Sequence, residues 1–135
     1  MATQLTFSES YFYSDSTPGI TLPIVLRNGA ISYSTFAKVD TGSDVCLFSR
    51  EIAEDLGLRV EEGIPLRLDT LGGSLESFGH EIILQSYDIA FYSTVYFAKA
   101  PGLRRNLLGR QGWLRQLRVA IVDYDNQIYL RRYDD

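Results

Sequence analysis

The residues best placed to do chemistry form one run, Phe36-Ala37-Lys38-Val39-Asp40-Thr41-Gly42-Ser43-Asp44. Ala37 and Val39 precede the acid, and the apolar Val45-Cys46-Leu47-Phe48 follows. The pattern predicts a strand that delivers a carboxylate into a tight Thr-Gly turn. Such a carboxylate can act as a general base when ionised, or polarise a carbonyl when protonated. Gly42 lets backbone pass close to the carboxylate and to a substrate. Ser43 is expected to donate to Asp40, a bond that favours the ionised form. An Asp-Thr-Gly tripeptide alone is weak, because short motifs arise by chance and Asp and Gly are common in turns. Two further stretches add weight. Asn106-Leu107-Leu108-Gly109-Arg110 lies near the end of the chain, and Thr70-Leu71-Gly72-Gly73-Ser74 is a glycine-rich hairpin tip. Asp69-Thr70-Leu71-Gly72 looks like a second copy of the motif, but it opens that hairpin instead of following a buried apolar strand. It reads as a polar strand end.

Other chemistry is thinly supported. The single Cys46 has no partner for an internal disulfide, and one Cys with one His80 cannot make a zinc site. Cys46 reads as a small buried hydrophobe, His80 as a structural or exposed ring, and Trp113 as core or interface. No metal and no cofactor are expected.

The three stretches together resemble the retroviral-type (retropepsin-like) aspartic proteases, and most of all their small bacterial single-domain members. Val39-Asp40-Thr41-Gly42-Ser43 is similar to that family's active-site motif. Residues 70–74 stand in the place of its flap, and Leu107-Leu108-Gly109-Arg110 is similar to the element that packs beside its catalytic turn. The order is preserved over about residues 20–131. Gln111 departs from the Asp or Asn that often follows the Arg in the family. The resemblance implies an endopeptidase that hydrolyses peptide bonds with Asp40 as catalytic carboxylate. Thr41 would hydrogen-bond across a dimer axis, and residues 70–74 would close over an extended peptide. Asp44 and Arg110 would form an ion pair bracing the active-site loop.

One motif is not enough for that chemistry. Two carboxylates must share one proton, because like charges about 3 Å apart cannot both ionise. Pepsin-like enzymes carry both copies in a chain much longer than this one. Here the second carboxylate must come from a second copy of the chain, and a two-fold dimer sets equivalent residues face to face.

The elements that must position these residues read mostly as strands. Strand signals cover 5–13, 20–26 and 30–39, with Asn28-Gly29 as a hairpin signal between the last two. Residues 49–57 predict a helix, with Ser49 as N-cap and Gly57 at its C-terminal end. Strands follow at 64–69, 78–85 and 87–98. A second short helix is expected over Arg110–Leu117, then a hairpin turning at Asp125-Asn126. The expected fold class is all-β, a retropepsin-like closed barrel with one or two short helices, in a single domain over 1–135. Nine Tyr and seven Phe in 135 residues argue against disorder.

A net charge of −4 argues against nucleic acid as a partner. The late arginines Arg104, Arg105, Arg110, Arg115, Arg118, Arg131 and Arg132 read as a solvated face. No apolar run approaches the ~18 residues of a membrane span, and Met1–Thr6 lacks the marks of a signal peptide. A cytoplasmic homodimer acting on peptides or proteins is expected. The rival function is a non-catalytic peptide-binding or dimerisation module that keeps the fold. A third possibility is a latent enzyme, held back as a monomer or by residues 1–19.

Overall fold

Alternation decides which side of each strand is buried. The computed structural model describes residues 1–135. Strand β2 (Thr21–Asn28) buries Leu22, Ile24 and Leu26 and turns the residues between them outward. Strand β7 (Ile89–Ala98) buries Ile89, Phe91, Ser93, Val95 and Phe97 in the same two-residue rhythm. The other strands are β1 (Glu9–Phe12), β3 (Ile31–Val39), β4 (Leu47–Phe48), β5 (Ile64–Thr70), β6 (Gly73–Ser86), β8 (Leu107–Leu108), β9 (Leu117–Val122) and β10 (Gln127–Arg132). One α-helix, α1, spans Arg50–Asp55.

Seven strands form a sheet in the order β2-β3-β8-β4-β7-β6-β5. The far end of β6 returns to β2, with Ile24 opposite Ser86 and Arg27 opposite Ile83. Six strands therefore close into a ring, and β5 hangs on the near half of β6 as an arm. This is the all-β architecture expected from the strand signals, closed as the resemblance implies. A separate three-stranded sheet, β1-β10-β9, joins the two ends of the chain. It shares the ring's core: Tyr13, Leu117, Ile128 and Leu130 belong to the same buried cluster as Leu22, Phe48, Leu84 and Leu108. Trp113 is fully buried there, and its Nε1–H donates to Ser86 Oγ at 2.8 Å. A buried indole nitrogen needs such a partner.

Helix α1 forms as its sequence predicts. Ser49 accepts from the Ile52 amide, Ile52 and Ala53 are buried, and Gly57 takes the left-handed conformation after the helix at φ +76°. Two expectations need correction. The β2–β3 turn is made by Gly29-Ala30, with Asn28 still paired to Ile31 in the ladder. Gly29 has φ +59° and Ala30 is not in the left-handed region, so only the first turn position needs glycine. The second helix is absent. Gln111 bridges to Val45, Gly112 adopts φ +97°, and only Leu114–Gln116 make a single 3₁₀ turn. The glycine sits against the Ser93 hydroxyl and the Thr94 carbonyl, where a Cβ would lie 2.9 Å from each.

Candidate active site

The turn that carries Asp40 is held from both sides by one two-residue strand. Strand β8 pairs in parallel with the end of β3, Lys38 opposite Leu107 and Val39 opposite Leu108. Its other edge pairs with β4 through Leu47 and Leu107. Residues 40–46 thus loop around β8. The Asp40 amide donates to the Leu108 carbonyl at 2.9 Å. Beyond β8, the Arg110 amide donates to Ser43 O and the Gln111 amide to Asp44 O, each at 2.9 Å. Gly109 is the point of closest approach. A Cβ there would lie 2.1 Å from the Val45 carbonyl oxygen and 2.7 Å from that of Ser43. Only glycine lets the two backbones pass.

Asp40 itself is half-buried, and Thr41 and Gly42 beside it are exposed. The Gly42 amide donates to Asp40 Oδ1 at 3.0 Å, and the Ser43 amide closes the turn on Asp40 O at 3.2 Å. The carboxylate is therefore oriented by backbone. Ser43 does not play the part expected of it. Its hydroxyl donates to the Val45 carbonyl at 2.7 Å, two residues ahead, and braces the turn instead of contacting Asp40.

The expected Asp44–Arg110 ion pair is also not formed. No Arg110 nitrogen lies within 4.0 Å of an Asp44 oxygen, and both residues are exposed. The two segments do pack together, but through the backbone bonds just described. With the backbones already fixed, a solvated pair would gain only about 0–1 kcal/mol against the entropy of two long side chains.

Asn106 is a structural residue of the site that sequence reasoning left without a role. Its Oδ1 accepts from the Ser49 amide at 3.2 Å, and its Nδ2 donates to Thr35 Oγ1 at 3.2 Å and Phe36 O at 3.0 Å. One amide ties α1, β3 and the entry to β8 together. A polar side chain directly before an apolar Leu-Leu pair was the only available signal. Cys46 is fully buried under the turn and takes a hydrogen bond from the Gly109 amide at 3.4 Å. Burial pushes its thiol up to about 12, so it is an inert apolar group there.

The glycine-rich hairpin is a two-residue turn, Leu71-Gly72, between Thr70 and Gly73. Thr70 Oγ1 donates to Gly73 O at 2.7 Å, and Ser74 Oγ accepts from Arg67 at 2.9 Å. Leu71 is fully exposed at the tip. Asp69 projects into solvent, 90% exposed, with Arg67 at 4.0 Å as its ion partner. His80 is structural. Its Nε2 lies 2.9 Å from the Val60 carbonyl, and its ring meets Phe97 edge-on. No group of three or more His, Cys, Asp or Glu side chains could hold a metal ion, and no helix is long and apolar enough to cross a membrane.

Among solved structures, the chain is similar to an EIAV protease complexed with the inhibitor HBY-793. Identity is 18%, the match covers 67% of this chain and 80% of that one, and the TM-score is 0.48. A likeness that loose supports no assignment. No family model matches the chain, and no curated protein matches it.

Proposed function

We propose that this chain is an aspartic endopeptidase, retropepsin-like in type, that works as a homodimer with one Asp40 carboxylate from each copy. The observation that carries the reading is the seating of Asp40. A strand within a closed ring ends on this acid, a backbone amide at 3.0 Å orients its Oδ1, and β8 holds both ends of its turn. The chain has one such seat. The other Asp-Thr pair sits on a solvated hairpin arm. The exposed Thr41 and Gly42 leave the turn open to a second copy.

In the dimer, one Asp40 is ionised and draws a proton from water, while the other stays protonated and polarises the scissile carbonyl. The Thr41 hydroxyls would hold the two turns together. The arm formed by β5 and the start of β6, tipped by Thr70–Ser74, would cover an extended substrate that pairs through its backbone. Glycines at 72 and 73 give that tip its freedom.

The test is cleavage of a peptide library between pH 3 and 8 by the wild-type protein and by Asp40→Asn, with sedimentation at micromolar concentration alongside. Cleavage by a dimer that vanishes in Asp40→Asn is expected. Equal inactivity of both proteins would favour the non-catalytic module, and cleavage by a strict monomer would break the two-carboxylate mechanism.

A further inference from the structure

Lys38, two residues before Asp40, lines a cleft of about 400 Å³ whose charge is the opposite of the protein's own. Three of its nine lining residues, Lys38, Arg104 and Arg105, are basic and none is acidic, although the whole chain carries −4. No carboxylate stands within 4.0 Å of any of the three, as is also true of Arg27, Arg110, Arg115 and Arg118. An excess of one sign in a concave site raises the local concentration of the opposite charge.

The cleft is built, not incidental. Ala37 and Val39 take the inward side of β3, so Phe36, Lys38 and Asp40 share the outward side. At a rise of ~3.3 Å per residue, Lys38 and Asp40 start about 7 Å apart along one line. The methylene stem of Lys38 lies across Gly19, where a Cβ would meet Lys38 Cε at 2.6 Å. Gly19 also holds φ +72°, so the loop before β2 is shaped to seat that stem. Arg104 and Arg105 line the same cleft, and Asn106 directly after them is bonded through its amide to Thr35 and Phe36 on β3. Phe36, 65% exposed, adds an apolar surface along the same line.

We infer that this cleft is a specificity subsite that selects peptides with a glutamate or aspartate side chain close to the bond to be cut. The inference deepens the endopeptidase reading and rests on it for the location of that bond. An acidic side chain entering the cleft would complete the charges of Lys38 and the two arginines, and the aliphatic part of the residue would lie against Phe36. Arginine suits this role because its planar fork can hold a carboxylate in two bonds.

The experiment has a cleavage arm and a binding arm. In the first, matched peptides carrying Glu or Gln at each of the positions flanking a cleaved bond are compared by kcat/KM. At one position Glu should be preferred about ten-fold at low ionic strength, with the preference shrinking as salt is added. The triple variant Lys38→Met, Arg104→Gln, Arg105→Gln should bring that ratio to near one. Methionine keeps the stem over Gly19, and circular dichroism checks that the variant is folded. In the second arm, the anisotropy of a labelled Glu peptide and its Gln twin is followed on Asp40→Asn protein, with and without the triple variant. Tighter binding of the Glu peptide that is lost in the triple variant supports the subsite even if no peptide is ever cut, and then only the endopeptidase reading fails. Cleavage with equal rates for Glu and Gln at every position overturns the subsite and leaves the endopeptidase reading standing. A Glu preference that survives in the folded triple variant also overturns it.

Discussion

The chain contains two Asp-Thr pairs, and the fold treats them oppositely. Asp40-Thr41 ends a strand of the closed ring, with β8 bonded along the turn and a backbone amide on the carboxylate. Asp69-Thr70 ends a strand of the protruding β5–β6 arm, with its carboxylate in water. The two tripeptides differ only at their third residue, Gly42 against Leu71. What separates them is the neighbour. Asp40 has a strand from sixty-odd residues later running beside it, and Asp69 has only its own hairpin. Distant backbone fixes the turn around Asp40 through the Leu108 carbonyl, and within that turn the Gly42 amide directs the carboxylate; no such strand flanks Asp69.

The sharpest way to break the comparison is to neutralise each acid in turn. Asp40→Asn is expected to lower peptide cleavage by at least about 10²-fold, the lower end of what acid–base groups contribute. Asp69→Asn should leave it within a factor of two or so, given its solvated position. Equal losses in the two variants would mean that the seat around Asp40 confers nothing.

Glycine substitutions probe the two supports. Gly109→Ala must push β8 away from the Val45 and Ser43 carbonyls, at a cost of about 1–3 kcal/mol or more. Gly72→Ala meets nothing within 4 Å and should change stability by less than about 0.5 kcal/mol. Denaturant unfolding of the pair measures the contrast, and a silent Gly109→Ala would contradict the close approach.

Cys46 gives the seat a pH signature. Burial raises its thiol from 9.0 to about 12 in the folded protein. The unfolded chain ionises first, so this contribution is complete below about pH 9 and is lost as pH rises toward 12. Iodoacetamide at pH 8 should label Cys46 only at the rate of unfolding. Fast labelling under native conditions would show that the packing beneath the turn is open.

Smaller effects separate the two corrected side-chain roles. Ser43→Ala removes the hydroxyl bond to Val45 O and should cost about 0.5–1.5 kcal/mol in unfolding experiments. It should leave the pH profile of cleavage where it is, since the hydroxyl does not touch Asp40. A displaced acidic limb would restore Ser43 as a partner of the carboxylate. Arg110→Ala should change monomer stability by no more than about 0.5 kcal/mol, because the side chain is exposed and unpaired with Asp44. A larger loss, read by thermal unfolding, would show a partner for Arg110 outside its own chain.

The sequence by itself determined most of the local elements, though not the helix expected over Arg110–Leu117, which is absent. Strand signals between turn residues marked β2, β3 and β7, the Ser49 cap and Gly57 bounded α1, and glycines marked the β2–β3 and β5–β6 hairpin tips, because these features depend on residues a few positions apart. The family resemblance of its motifs also implied that Asp40 and the Leu107-Leu108-Gly109 stretch are partners. Only the tertiary structure decided how they meet. The return of β6 to β2 that closes the ring, the insertion of β8 inside the 40–46 loop, and the threefold use of the Asn106 amide all join residues far apart in the chain. The same is true of the two side-chain misreadings. Ser43 and Arg110 could each have reached a carboxylate on sequence grounds. The backbone bonds from residues 110 and 111 to residues 43 and 44 set the turn first, and the side chains took the partners, or the water, that this left them.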